Sequence, residues 1–95
     1  MVREIAVFRT REGRAEAFVG AYGGVANILD DAEGSGGVSL HRGVEDPDSF
    51  TPTVEWGSVD AHTALTRTPR FESFGEAIGP HLAGRPEVRH VEAVA

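Results

Sequence analysis

Ile5-Ala6-Val7-Phe8 sets four apolar residues in succession near the start of the chain. A strand with one wet face alternates apolar with polar residues, but here Ile5 and Val7 are matched on the opposite side by Ala6 and Phe8. Both faces of this strand are therefore expected to be covered. The first turn of a buried helix would give the same run, but Thr10 to Gly13 follow as a polar turn and favour the strand.

Downstream, a helix is expected from roughly Arg14 to Ala32, with Ala15, Phe18, Val19, Tyr22, Val25, Ala26 and Leu29 on one stripe. Gly23-Gly24 falls in its middle, at a cost of about 1 kcal/mol per glycine against alanine. Close packing of helix on sheet explains the pair better than a gap beside a ligand. Gly34-Ser35-Gly36-Gly37 ends the helix, and Val38 to Gly43 reads as a second strand, placed at a sheet edge. Glu45-Asp46-Pro47-Asp48-Ser49 has turn chemistry, and Thr51 to Trp56 makes a third strand in which Pro52 is expected only at the start. Ser58 is a candidate N-cap for a short helix carrying Ala61, His62 and Leu65. Thr68-Pro69 starts another as cap and first residue, with Phe71, Phe74 and Ile78 on its apolar face until Pro80 stops it. Glu87 to Val94 forms the last strand.

The sum is β-α-β-β-α-β, an α+β chain. Right-handed crossovers give a ferredoxin-like domain over residues 1–95, with an antiparallel four-stranded sheet in the order 4-1-3-2 and its helices on one face. The other face lacks a cover within one chain, so the missing layer is most simply the sheet of a second copy, making a homodimer. Across that face Glu55 needs a cation, and Arg3 or Arg9 on the first strand is placed to supply it.

Composition removes several functions. The formal net charge is −6 and all nine basic residues are Arg, with no basic stripe, so nucleic acid and anionic membrane are excluded as expected partners. Absence of Lys removes Schiff-base chemistry, and absence of Cys removes thiolate nucleophiles, thiolate metal sites and disulfides. No apolar run is long enough for a signal peptide or a membrane span, and a cytoplasmic location is the default. The four His, at positions 41, 62, 81 and 90, have no metal-ligand spacing.

Glu45-Asp46-Pro47-Asp48-Ser49-Phe50, Val54-Glu55-Trp56, Asp60-Ala61-His62 and Thr68-Pro69-Arg70-Phe71 follow one another at close spacing, with Gly13 before the first helix and Val88-x-His90 in the last strand. This ordered set resembles the antibiotic-biosynthesis-monooxygenase family of dimeric α+β barrels. The resemblance implies one small-molecule cavity per subunit between sheet and helices. It also implies the activities of characterised relatives: oxygenation of aromatic polyketides and quinols by O₂ without metal or flavin, or haem degradation. Many relatives carry a helical His where this chain has Leu65. The haem-degrading branch has a ligand His where this chain has Gly75, and an Asn on the first strand where this chain has only apolar residues, which speaks against haem.

Within that frame His62, beside the apolar edge of its helix, is the candidate catalytic base. The alternative is a structural His bonded to a backbone carbonyl. Trp56, Phe71, Phe74, Tyr22, Phe8, Leu65 and His90 are the candidate substrate-binding residues. Trp56 and the phenylalanines are walls for an aromatic ring to stack on, or simply core. His90 is a cavity or an interface residue according to which face it takes, and Tyr22 is the only phenolic donor. His41 and His81 are expected in solvent. The expected function is a cofactor-free monooxygenase acting with O₂ on an electron-rich aromatic. A non-catalytic small-molecule-binding or accessory dimer is the alternative, favoured by the lack of any evident carboxylate to orient His62.

Overall fold

A computed structural model describes residues 1–95. Its elements are β1 (Val2–Arg9), α1 (Ala15–Asp30), β2 (Ser35–Arg42), β3 (Ser49–Trp56), α2 (Val59–Thr66), α3 (Pro69–Ile78), a 3-10 turn (Gly79–His81) and β4 (Glu87–Val91). The strands form one antiparallel sheet in the order β2-β3-β1-β4. That is the ferredoxin-like arrangement expected from the sequence.

Alternation along β1 decides what lies where. Glu4, Ala6 and Phe8 are buried on the helical side, while Arg3, Val7 and Arg9 are exposed on the other and Ile5 is half-buried. Opposite β1, the register puts Val54 and Phe50 of β3, and His90 and Val88 of β4, on the helical side as well. The helical side carries the core, built on Phe18, Phe50, Val54 and Trp56, each nearly or fully excluded from water. Phe18 packs against Phe8, Phe50 and Tyr22, joining α1 to the sheet.

The uncovered face is less oily than β1 alone suggests. Ile5 and Val7 share it with Thr53 and Thr51 of β3, Arg89 and Glu87 of β4, and the cross-strand pair Arg3–Glu55. Arg9 reaches instead to Asp46, at 2.7 Å.

Four local expectations change. Pro52 is the fourth residue of β3, between two partner strands, not at its start. The β1–β3 ladder runs from Ile5↔Thr53 to Phe8↔Phe50 and skips the two steps between, which is how an interior strand accommodates a residue without an N–H. β2 begins at Ser35, because Gly37, at φ +130°, forms an irregularity that lets the glycine stretch pair with Trp56 and Glu55. β4 ends at Val91, opposite Arg3, rather than at Val94. On α1, Ile28 is buried and Val19 exposed, and a Cβ on Gly23 or Gly24 would meet nothing within 4 Å. Close packing therefore does not explain that glycine pair.

Both capped helix starts form as read. Ser58 accepts from the Ala61 N–H, and Thr68 from the Phe71 N–H with Pro69 as the first helical residue. Gly34 sets where α2 sits. At φ +87° it holds a conformation that side chains resist, and a Cβ there would stand 2.7 Å from the Cβ of Ala61. That close approach seats α2, and with it His62, against the sheet.

Candidate functional site

Glu4 is the one carboxylate in the core, 8% exposed, and it lies there because it occupies an inward position of β1 between Val2 and Ala6. A buried carboxylate is costly unless hydrogen-bonded. The Trp56 Nε1–H donates to Glu4 Oε1 at 2.9 Å, and His62 Nε2 stands 3.3 Å from the same oxygen. His62 is 7% exposed and stacks on the Trp56 ring, with centroids 5.2 Å apart and planes 16° from parallel. Its other nitrogen, Nδ1, lies 2.8 Å from His90 Nε2. β1, β3, α2 and β4 thus each contribute one side chain to a continuous polar chain, Trp56–Glu4–His62–His90, which starts in the core and ends at a half-buried edge-strand residue.

Burial pulls the His62 imidazole below its ordinary value of 6.5; the Glu4 charge opposes that shift and His90 adds to it. A neutral, strongly oriented imidazole results. Tyr22 is 4% exposed, and burial, reinforced by the Glu4 charge, pushes its phenol up to about 12. Its hydroxyl has no hydrogen-bond partner.

A cleft of about 690 Å³ opens between α3, the 3-10 turn, the loop after it and β4. Phe71, Phe74, Ile78, Leu82, Pro86 and Val88 supply its apolar wall. Arg11 and Arg85 are its only charged residues. The Nε–H of Arg11 is held by the Leu82 carbonyl at 2.9 Å, which fixes that guanidinium at the rim. His90 follows Val88 by two residues on the same strand face, about 7 Å further along at the usual rise of a strand. The imidazole chain therefore ends next to the cleft rather than inside it.

The sequence candidates separate accordingly. Phe71 and Phe74 line the cleft, stacked at 5.7 Å. Trp56, Phe8 and Tyr22 are buried in the core, and Leu65 borders a smaller groove beside Ala61 and Thr68. His62 and His90 meet each other, with His90 on the helical face. His41 is exposed, but the His81 ring is half-buried with its Nδ1 unpartnered, because the 3-10 turn folds it inward. Glu4 was missed, and with it the orienting carboxylate that seemed absent. The signal was present: Glu4 falls on the Ala6 and Phe8 side of β1, so alternation alone buries it.

Donor chemistry bears on metal binding. At 2.8 Å the two imidazole nitrogens are too close for an ion between them, since each metal–nitrogen bond needs about 2.0–2.1 Å. No group of three or more His, Asp or Glu is arranged to hold a metal.

The chain is thus an α+β sheet domain with an aromatic cleft beside a carboxylate–imidazole chain. Residues 1–77 match the family model described as antibiotic biosynthesis monooxygenase, and the chain belongs to that family. Among solved structures, a Bordetella bronchiseptica protein carrying the same family name is 29% identical, with TM-score 0.95, covering 99% of this chain and 97% of its own. SnoaB, a cofactor-independent oxygenase from Streptomyces nogalater, is 18% identical with TM-score 0.85, covering 99% of this chain and 93% of its own. A Nitrosomonas europaea protein named for the family is 14% identical, with TM-score 0.85 and full coverage of both chains. No curated protein matches. No helix is long and apolar enough to cross a membrane.

Proposed function

We propose that this chain is a cofactor-independent monooxygenase. It acts with O₂ on an electron-rich aromatic, of the quinol, anthrone or polyketide kind, held in the cleft between sheet and helices. It works as a homodimer in the cytoplasm, with Ile5, Val7 and the Arg3–Glu55 pair in the sheet-to-sheet contact. The observation that carries this reading is the adjacency of an apolar, phenylalanine-walled cleft to a buried carboxylate–imidazole chain. The likeness to SnoaB supports the fold on which such chemistry runs.

The chemistry needs little from the protein beyond a base and a dry wall. An imidazole removes one proton from an anthrone methylene, and the resulting anion gives an electron to O₂. The carbon radical and superoxide combine to a peroxide anion, which takes the proton back. Loss of water from the hydroperoxide leaves a carbonyl, so R₂CH₂ + O₂ gives R₂C=O + H₂O. The arginines at the rim, with no acid among the cleft residues, favour the anionic intermediate. A general base contributes roughly 10²–10⁴-fold. Oxygen uptake across a panel of hydroquinones and anthrones, with metal removed by chelation, tests the reading. Turnover above the protein-free rate supports it, and none with any member contradicts it.

A second reading, a binding protein without chemistry, is favoured by one fact: neither imidazole lines the cleft. Saturable binding of the same compounds without oxygen uptake would identify it. Sedimentation velocity tests the dimer, for which a stable monomer at micromolar concentration is the contrary result.

A further inference from the structure

We infer that the proton acceptor is Nδ1 of His90, and that Glu4 and His62 are positioning residues that act through it. The inference rests on the base chemistry proposed above, and it moves the acceptor from the helical His62 to the strand. A carboxylate oxygen only accepts hydrogen bonds. Glu4 Oε1 already takes the Trp56 N–H and stands 3.3 Å from His62 Nε2, so its negative charge favours a proton, rather than a lone pair, on the Nε2 of a neutral His62. His62 Nδ1 is then a lone pair, and at 2.8 Å from His90 Nε2 it can only accept from it. His90 in turn carries its proton on Nε2, which leaves Nδ1 as the one imidazole lone pair of the chain that no other member engages.

Accessibility agrees with this order. His62 Nδ1 is held by His90, Nε2 faces Glu4 and the ring is buried against Trp56, so no substrate reaches it without dismantling the stack. His90 is half-buried, its Nδ1 makes no hydrogen bond and is not enclosed, and it stands on the strand face that continues into the cleft wall at Val88. When His90 Nδ1 takes a proton, the Nε2 proton can shift to His62 Nδ1. The positive charge then lies between Glu4 and the Trp56 ring face, both of which favour a cation. The titratable groups facing the pair are Glu4 from β1 and, through Glu4, Tyr22 from α1. Arg89, next in sequence to His90, turns to the opposite face.

Two measurements on the full chain test this. The first is ¹⁵N NMR of the imidazoles in the free protein at pH 8, which reads the tautomers without any substrate. The expected result is both His62 and His90 protonated on Nε2, with the fixed tautomer of His90 giving way to a mixture in Glu4→Ala, which removes the oxygen that His62 Nε2 faces. A His90 protonated on Nδ1 overturns the inference. The second is hydrogen–deuterium exchange at the methylene of anthrone under nitrogen, which reads proton removal alone. His90→Gln should lower the protein-catalysed rate by roughly 10²-fold or more. Glu4→Gln should retain the reaction but move the midpoint of its pH profile to lower pH, because the charge favouring the imidazolium is gone. Exchange at the wild-type rate in His90→Gln, or none in the wild type, overturns the assignment. Exchange without oxygen uptake upholds His90 and removes the oxygenase reading instead.

Discussion

Glu4→Ala takes away an acceptor that two buried donors share. Trp56 Nε1–H donates to Oε1 at 2.9 Å, and His62 Nε2 stands 3.3 Å from the same oxygen. Trp56 is fully excluded from water and His62 is 7% exposed, so neither donor can turn to solvent once the carboxylate is gone. A buried donor left unpaired costs about 1–3 kcal/mol, which puts the pair at about 2–6 kcal/mol. Relief of the carboxylate's own burial offsets part of this, leaving about 2–4 kcal/mol. For a chain of this length that corresponds to a fall in Tm of about 10–25 °C. Glu4→Gln keeps an oxygen at the Oε1 position for both donors and should lose only about 1 kcal/mol, the difference between a charged and a neutral acceptor. Urea unfolding followed by circular dichroism, with midpoints compared at constant slope, measures both. Alanine within about 0.5 kcal/mol of wild type, or glutamine as damaging as alanine, would refute the claim that this oxygen holds the two rings.

Gly24→Ala should stabilise the protein by about 1 kcal/mol in the same unfolding measurement, because the position is helix interior and open around its Cβ. Tyr22→Phe should be neutral or stabilising at pH 7, since the hydroxyl it removes is buried and unpaired. It should also abolish an alkaline loss of stability. The Tyr22 phenol ionises near 10.0 in the unfolded chain and at about 12 when folded, so its contribution is whole below pH 10 and lost as pH rises between the two. For His62 the sign reverses. Its folded value is depressed below 6.5, the unfolded state binds more protons beneath that pH, and stability should fall as pH drops below 6.5; His62→Gln should flatten that acid limb in pH-dependent urea midpoints.

Strand 1 and the two capped helices made the topology legible, because a short apolar run closed by a polar turn, a Ser or Thr cap and a Pro at the first helical turn are local signals. Pro52 was misplaced because a β-ladder can skip a rung in the middle of a strand, and only the partner strands reveal where. The glycines before β2 read as a turn for the same reason: Gly37 belongs to a strand by virtue of Glu55 opposite it. At the site, Phe71 and Phe74 were visible as one apolar helix face. Glu4 is not legible as a site residue by itself, since a lone acid before an apolar run shows its role only through the Trp56 and His62 side chains that other elements bring to it. His62 and His90, 28 positions apart, meet only because Gly34 lets α2 come down onto the sheet.

The most direct test of the account is oxygenation of anthrone by the metal-stripped protein under ¹⁸O₂, followed with an oxygen electrode and mass analysis of the product. The account requires uptake above the protein-free rate, one ¹⁸O in the new carbonyl, and loss of both in His90→Gln. Uptake no faster than in buffer, or a rate untouched by that substitution, would contradict it.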